Sequence, residues 1–416
     1  MRLWLVFLLV LVAVFAVSAC SSGDDDDDST PVDDDTVDDD TSVDDDTADD
    51  DAADDDTVNP FLNPEEMGPY LVGNTTFFFE DTSRPLSCGE GNRWLMTEVW
   101  YPAAGNAAEW EENWMHDFWL DRLDEVEQAI IDMGQNPDDL ILDVPTGSYR
   151  DAPLNPDAPP MPVLVFSHGF SSNRFQNYTM ANYLASHGYL VVAPDHICNS
   201  VVTLTPDDVV TNAPLNIFLT LGERKGDVSF LLDVMTENPP EMFAGRIDNE
   251  HLGFWGHSFG GITVTEEVKI DLRVSAMLQM ASFGIPIVPE DVTAASMYFW
   301  GREDKWMHLF EGFHDTLIEQ MPRPKFELEF PDTGHFAFSD LCTYNLPLAD
   351  HGNGCGTETR IGSDETFTNP TPEEIHKVLN PYAVAFFGAA FFDYAELWDY
   401  LAEDHFPDMM EYFPQP

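Results

Sequence analysis

The run Gly256-His257-Ser258-Phe259-Gly260 is where residue types and spacing point most directly to chemistry. An apolar run, Leu252–Gly256, leads into it, and a helical pattern, Phe259–Lys269, leaves it. A serine in such a strand-to-helix turn has its hydroxyl lifted clear of the sheet, with the next helix's N-terminus aimed at it. Side chains two residues to either side of the Ser would collide in so tight a turn, which accounts for Gly256 and Gly260. The five-residue pattern also arises by composition alone, and a structural Ser in a glycine turn is the competing reading. The flanking strand and helix therefore carry the weight, and Ser258 is the candidate nucleophile.

A serine hydroxyl is a poor nucleophile until a base takes its proton. On a strand–turn–helix scaffold the partners follow in the order Ser, acid, His, near the ends of later strands. The strand pattern Ser296–Trp300 runs into Gly301-Arg302-Glu303-Asp304, which makes Asp304 the expected acid, with Glu303 its nearest rival and Asp291 a distant one. Beyond it lie His308, His314, His335, His351, His376 and His405. Of these, His335 sits just past a convincing strand, Phe326–Phe330, and is the expected base. A tetrahedral intermediate would need N–H donors for its oxyanion. The backbone N–H of Phe259 is one, and the turn His168-Gly169-Phe170 after Val163–Ser167 offers the Phe170 N–H as the second. His168 itself is expected to be structural. Asp195 and His196 invite a metal reading, but two adjacent residues in a turn are better taken as structural. No metal or cofactor is called for.

Positioning these groups requires a sheet. Apolar runs at Thr97–Tyr101, Val163–Ser167, Leu190–Ala193, Leu252–Gly256, Ser275–Met280, Ser296–Trp300 and Phe326–Phe330 do not alternate, as suits buried parallel strands. Helical patterns at Tyr178–His187, Arg224–Thr236 and Phe259–Lys269 fall between them, predicting a mostly parallel, doubly wound α/β fold. Two stretches break the rhythm and are expected as insertions near the active site. One is Ala107–Met133, helical in pattern and carrying Trp110, Trp114, Phe118 and Trp119; the other is Pro206–Gly222. These stretches, with the rings of Phe170 and Phe259, either wall an apolar acyl pocket or simply pack on the sheet.

The chain of 416 residues divides unevenly. Residues 1–19 have an early Arg2, an apolar run Leu3–Val17 and small residues at the end, the pattern of a signal peptide too short to span a bilayer. Val17-Ser18-Ala19-Cys20 looks like a bacterial lipobox, in which Cys20 is lipidated and anchors the protein to the envelope membrane; plain cleavage after Ala19 is the alternative. Either way the protein is exported. Residues 20–58 are dominated by Asp blocks that repel one another, a solvated tether. A Ca²⁺ loop there would need a turn Gly and a distal Glu, and neither is present. Residues 59–416 suit one catalytic domain. The net charge of −60 argues against a nucleic-acid partner. In an oxidising compartment Cys88, Cys198, Cys342 and Cys355 are expected as disulfides. Cys342 and Cys355 bracket a short Gly/Asn-rich loop and form the local pair.

With these residues assembled, the chain from about Phe79 to the last strand resembles the α/β-hydrolases. It looks like bacterial relatives of platelet-activating-factor acetylhydrolase, which shade into dienelactone-hydrolase-like and polyester-hydrolase (cutinase-like) groups. The matching stretches are Glu98–Ala103, Val165–Phe170, Leu184–Tyr189, Val192–His196 and Gly256–Gly261. The resemblance implies a cofactor-free Ser-Asp-His carboxylester hydrolase acting on a small-molecule, lipid or polymeric ester. True dienelactone hydrolases use Cys where this chain has Ser258. The tether and the aromatic stretch lie outside the shared pattern, which leaves the substrate open. A binding lipoprotein on a hydrolase scaffold, or an acyltransferase or peptidase using the same triad, are the alternatives.

Overall fold

The computed structural model describes residues 59–213, 217–344 and 353–416. The expectations for the signal segment, Cys20, the Asp-rich tether and His351 lie outside these residues.

Strand propensity and burial converge on one eleven-stranded sheet. Its order across the sheet is Glu411–Gln415, Lys325–Phe330, Ala295–Gly301, Ala276–Met280, Ile247–His257, Met161–Ser167, Leu190–Pro194, Asn92–Ala103, Leu71–Pro85, Pro145–Arg150 and Glu112–Trp114. The six strands from Lys325–Phe330 to Leu190–Pro194 are mutually parallel. Thr97–Tyr101, expected among the parallel strands, lies instead in a long strand that pairs antiparallel with Leu190–Pro194 and with Leu71–Pro85.

Successive side chains of a strand point to opposite faces. Leu164 and Phe166 accordingly join the apolar layer built with Trp100, Trp255 and the long helix Pro372–Phe392. Val163 and Val165 join the other layer, with Phe254 and the helices Ile217–Glu237 and Phe259–Val268. Helices thus cover both faces, as a doubly wound sheet requires. This is the α/β-hydrolase fold.

The aromatic stretch departs from expectation. Ala107–Met133 is not a continuous helix: it breaks into a 3₁₀ turn, a short edge strand, a second 3₁₀ turn at Met115–Trp119, and the helix Leu123–Asp132. Leu120 and Asp121 both take left-handed backbone angles, which ends the turn before the helix can start. Of its four rings, Phe118 and Trp119 are core, Trp110 is half-buried and Trp114 is exposed. Phe118 stacks on Phe175 at 4.5 Å, Trp119 meets the same ring edge-on, and both are buried. Trp110 is held by a hydrogen bond from its indole N–H to the Ala104 carbonyl.

Candidate active site

The turn at Ser258 is dictated by sterics. Ser258 takes φ 55° and ψ −122°, between the strand Ile247–His257 and the helix Phe259–Val268. A Cβ on Gly256 would lie 2.5 Å from the Gly260 backbone, and one on Gly260 would lie 1.8 Å from the Ser167 carbonyl oxygen. The second clash shows why the elbow can press against the strand that carries the candidate oxyanion loop. A residue with a side chain at either position would push the two apart. The Ser282 hydroxyl donates to the Ser258 carbonyl at 2.6 Å and ties the turn to the neighbouring strand end.

Ser258, His335 and Asp304 come together although 77 and 31 residues separate the pairs. Ser258 Oγ and His335 Nε2 are 2.8 Å apart, and His335 Nδ1 lies 2.6 Å from Asp304 Oδ2. The other carboxylate oxygen, Oδ1, accepts from the backbone N–H groups of Trp306 and Met307 at 2.9 and 3.0 Å. The Asp304 carboxylate is therefore oriented before the imidazole meets it, and the imidazole Nδ1 must carry a proton to donate. Glu303 turns away, accepting from Arg360 and from the Ile361 N–H. Asp291 lies in an exposed loop. The Trp306 ring packs 4.7 Å from that of His335, and Asn353 Oδ1 accepts from the His335 N–H.

Among the described residues no acceptor is recorded for either candidate oxyanion donor. Phe259 is the first residue of its helix, so its N–H has no intrahelical acceptor. Among the described residues the Phe170 N–H likewise donates to no protein acceptor. The Phe259 ring does not wall a pocket: it is buried beneath the Arg224 guanidinium, 4.8 Å from its centre.

A second Ser-His-Asp array lies beside the candidate oxyanion loop. Ser167 Oγ is 2.9 Å from His196 Nε2, and His196 Nδ1 is 2.8 Å from Asp227 Oδ2. Burial would raise the Asp227 carboxyl, but the Arg93 guanidinium and hydrogen bonds from Arg93 and His196 overrule it and hold it below the usual range. Burial, reinforced by the nearby Arg224, pushes His196 down to about 3, so it is neutral. His196 therefore donates from Nδ1 to Asp227 and accepts from Ser167. All three are fully buried. A nucleophile must meet its substrate; of these two serines Ser258 is half-buried and Ser167 fully buried.

The structural readings of His168, Asp195 and His196 match their contacts. His168 donates from Nδ1 to the Gly169 carbonyl, Asp195 accepts from Arg174, and His196 is committed to Asp227. Among the described residues, no group of three or more His, Cys, Asp or Glu side chains is set to hold a metal ion. Cys342 is bonded to Cys355, and Cys88 to Cys198 across 110 residues. Sequence reasoning missed Arg224, Gln176 and His257. His257, inside the elbow, was visible in the motif; nothing in the sequence marked the other two.

Fold and site together define an α/β-hydrolase scaffold with a Ser-His-Asp array at the ends of its parallel strands. Comparison with known proteins narrows the likeness. Residues 58–214 match the family model for platelet-activating factor acetylhydrolase, isoform II. The platelet-activating factor acetylhydrolase of Cavia porcellus is 26% identical over 301 residues, covering 64% of this chain and 65% of that protein. A probable 1-alkyl-2-acetylglycerophosphocholine esterase of Arthroderma benhamiae is 28% identical over 144 residues, 33% of this chain and 35% of that one. The chain thus spans just under two thirds of the first relative's length. The solved structure of a ferulic acid esterase from Streptomyces cinnamoneus shares the fold, with TM-score 0.60 and 22% identity over 78% of this chain and 91% of that one.

Proposed function

We propose that the protein is an exported serine carboxylester hydrolase in which Ser258 attacks the ester carbonyl. The observation that carries this is the unbroken hydrogen-bonded series from Asp304 through His335 to Ser258, on a half-buried serine at an elbow. His335 Nε2 takes the Ser258 proton as Oγ bonds to the carbonyl carbon. The N–H groups of Phe170 and Phe259 receive the oxyanion. Collapse of the tetrahedral adduct expels the alcohol, which takes the proton from His335. Water then enters by the same base, and the carboxylic acid leaves. Asp304 holds the Nδ1–H tautomer and stabilises the imidazolium throughout.

The names of the relatives and the matched family model favour a short acyl group, on a phospholipid-like alcohol or in a small or polymeric ester. Trp306 beside His335 supports an apolar substrate. Two disulfides suit an oxidising compartment, and the lipobox-like segment supports attachment through Cys20. Hydrolysis of an ester series of graded acyl length tests the substrate reading: acetyl to hexanoyl esters are expected to be cleaved faster than palmitoyl. A rate rising steadily to long chains would mark a lipase instead. Mass spectrometry of the mature N-terminus tests the anchor, which an unmodified Cys20 would refute.

A further inference from the structure

The His168–Gly169 peptide group is gripped at both ends. Its carbonyl oxygen accepts from Arg224 Nη2, and its N–H donates to Gln176 Oε1 at 2.7 Å. The peptide unit is planar and rigid, so holding both ends fixes its plane. The next carbonyl, that of Gly169, accepts from His168 Nδ1 at 2.6 Å. In a trans peptide the N–H points opposite to the carbonyl. Anchoring the Gly169 oxygen therefore sets the direction of the Phe170 N–H.

The two gripping side chains reach further into the site. Arg224 lies over the Phe259 ring, the residue whose N–H is the other donor, and also donates to Ser167 Oγ and Asn199 Oδ1. It is fully buried, and among the described residues it has no carboxylate within ion-pair distance. A buried charge without a paired counter-ion is costly to keep for stability alone. Gln176 is fully buried too. Its Nε2 donates to His257 Nδ1 at 2.6 Å, and His257 Nε2 donates to the His335 carbonyl at 2.9 Å. This relay joins the oxyanion loop, the elbow and the loop that carries the base. The fit is close: a Cβ on Gly169 would sit 3.3–3.4 Å from His257 Nδ1, Gln176 Oε1 and Ser258 Cβ.

We propose that Arg224 and Gln176 are positioning residues of the oxyanion site, acting through the two ends of the His168–Gly169 peptide to align the Phe170 N–H with the Phe259 N–H. The inference rests on the hydrolase reading above. Neither side chain touches the substrate. Their effect is confined to the state in which negative charge has moved onto the carbonyl oxygen, because oxyanion donors act there and not on the bound ester.

Two conservative variants test this. Arg224→Lys keeps the charge but has one donor head where the guanidinium has a fork; Gln176→Met keeps the volume and removes both hydrogen bonds. Active sites are counted by stoichiometric reaction with an organophosphonate, so that only folded, competent protein enters kcat. Each variant is expected to lose roughly 10²-fold in kcat per titrated site, the scale of a misplacement of about 1 Å, with KM changed by less than about threefold. Affinity for a trifluoromethyl ketone, which forms the tetrahedral adduct, is expected to fall by the same factor as kcat/KM. Lower thermal stability with kcat per titrated site unchanged in both variants would overturn the inference, as would a change confined to KM. Failure of the organophosphonate to react at Ser258 of the wild type would overturn the hydrolase reading, and the positioning role with it.

Discussion

Replacing Asp304 by Asn should force the wrong tautomer on His335, and the structure shows why the amide cannot turn to avoid it. Asp304 Oδ1 accepts from two backbone N–H groups, those of Trp306 and Met307. An Asn must keep its carbonyl oxygen there, since its NH₂ group would face two donors. That leaves the NH₂ pointing at His335 Nδ1, which must then accept and cannot carry the proton. The proton moves to Nε2, and the nitrogen facing Ser258 loses the lone pair that would receive the hydroxyl hydrogen. Losing the correct tautomer costs on the order of 10⁴ in kcat, or about 5 kcal/mol of barrier. The assay is steady-state hydrolysis of a p-nitrophenyl acetate series, with the fold checked by circular dichroism. Glu303→Gln is the control: its carboxylate serves Arg360 and the Ile361 N–H, so activity should stay near wild type. Asp304→Asn within tenfold of wild type, with Glu303→Gln inactive, would refute the reasoning.

Stability should fall on acidification well above the ordinary carboxylate range. Burial depresses His168 and His187 and pushes His196 and His257 down to about 3, so below pH 6.5 the unfolded chain binds protons that the folded one refuses. His196 and His257 each contribute stability that is present above pH 6.5 and lost as pH falls toward 3, at up to roughly 1.4 kcal/mol per pH unit, and His168 and His187 act in the same direction. Glu267, raised by burial to about 7, works in the opposite sense and cancels about one proton of the slope. Urea unfolding at pH 6.5 and 5 reads the difference, and equal stabilities would contradict it. Replacing Cys342 and Cys355 by Ser removes a bond that closes a loop over a sequence separation of 13 residues, at a cost of ~3 kcal/mol by the chain-entropy model. Asn353, two residues from Cys355, accepts from the N–H groups of Lys305 and His335, so activity should become more heat-sensitive along with the fold. An unchanged melting temperature without reductant would refute this.

What could be read from the residues was what local physics decides. Gly256 is demanded by a clash within the turn, with the Gly260 backbone, and the buried parallel strands announce themselves as apolar runs; Gly260 is demanded by the neighbouring strand end at Ser167. Asp304 and His335, which the structure brings together with Ser258, could be named as candidates because each follows such a strand. The helix Pro372–Phe392 went unread: Pro381 argues against a helix interior, and the run is apolar on every side, so no amphipathic period marks it. It forms because burial against the sheet outweighs the missing hydrogen bond. The aromatic stretch misled for a related reason. Its rings keep a helical spacing, but Phe118 and Trp119 pack on Phe175 from a short turn while Trp114 stays exposed. The Cys88–Cys198 bond and the grip of Arg224 and Gln176 on one peptide depend on approaches between distant segments that no local pattern encodes.

The central claim is that Ser258, and not the enclosed Ser167, is the nucleophile. Labelling the intact protein with a serine-directed organophosphonate, followed by peptide mass spectrometry, tests it most directly. The account predicts one phosphonyl group per chain, on Ser258, with loss of ester hydrolysis in proportion to labelling and no labelling of the His335→Ala variant on the same timescale. Labelling at another serine, or full hydrolysis by protein whose Ser258 has been replaced by Ala, would contradict it.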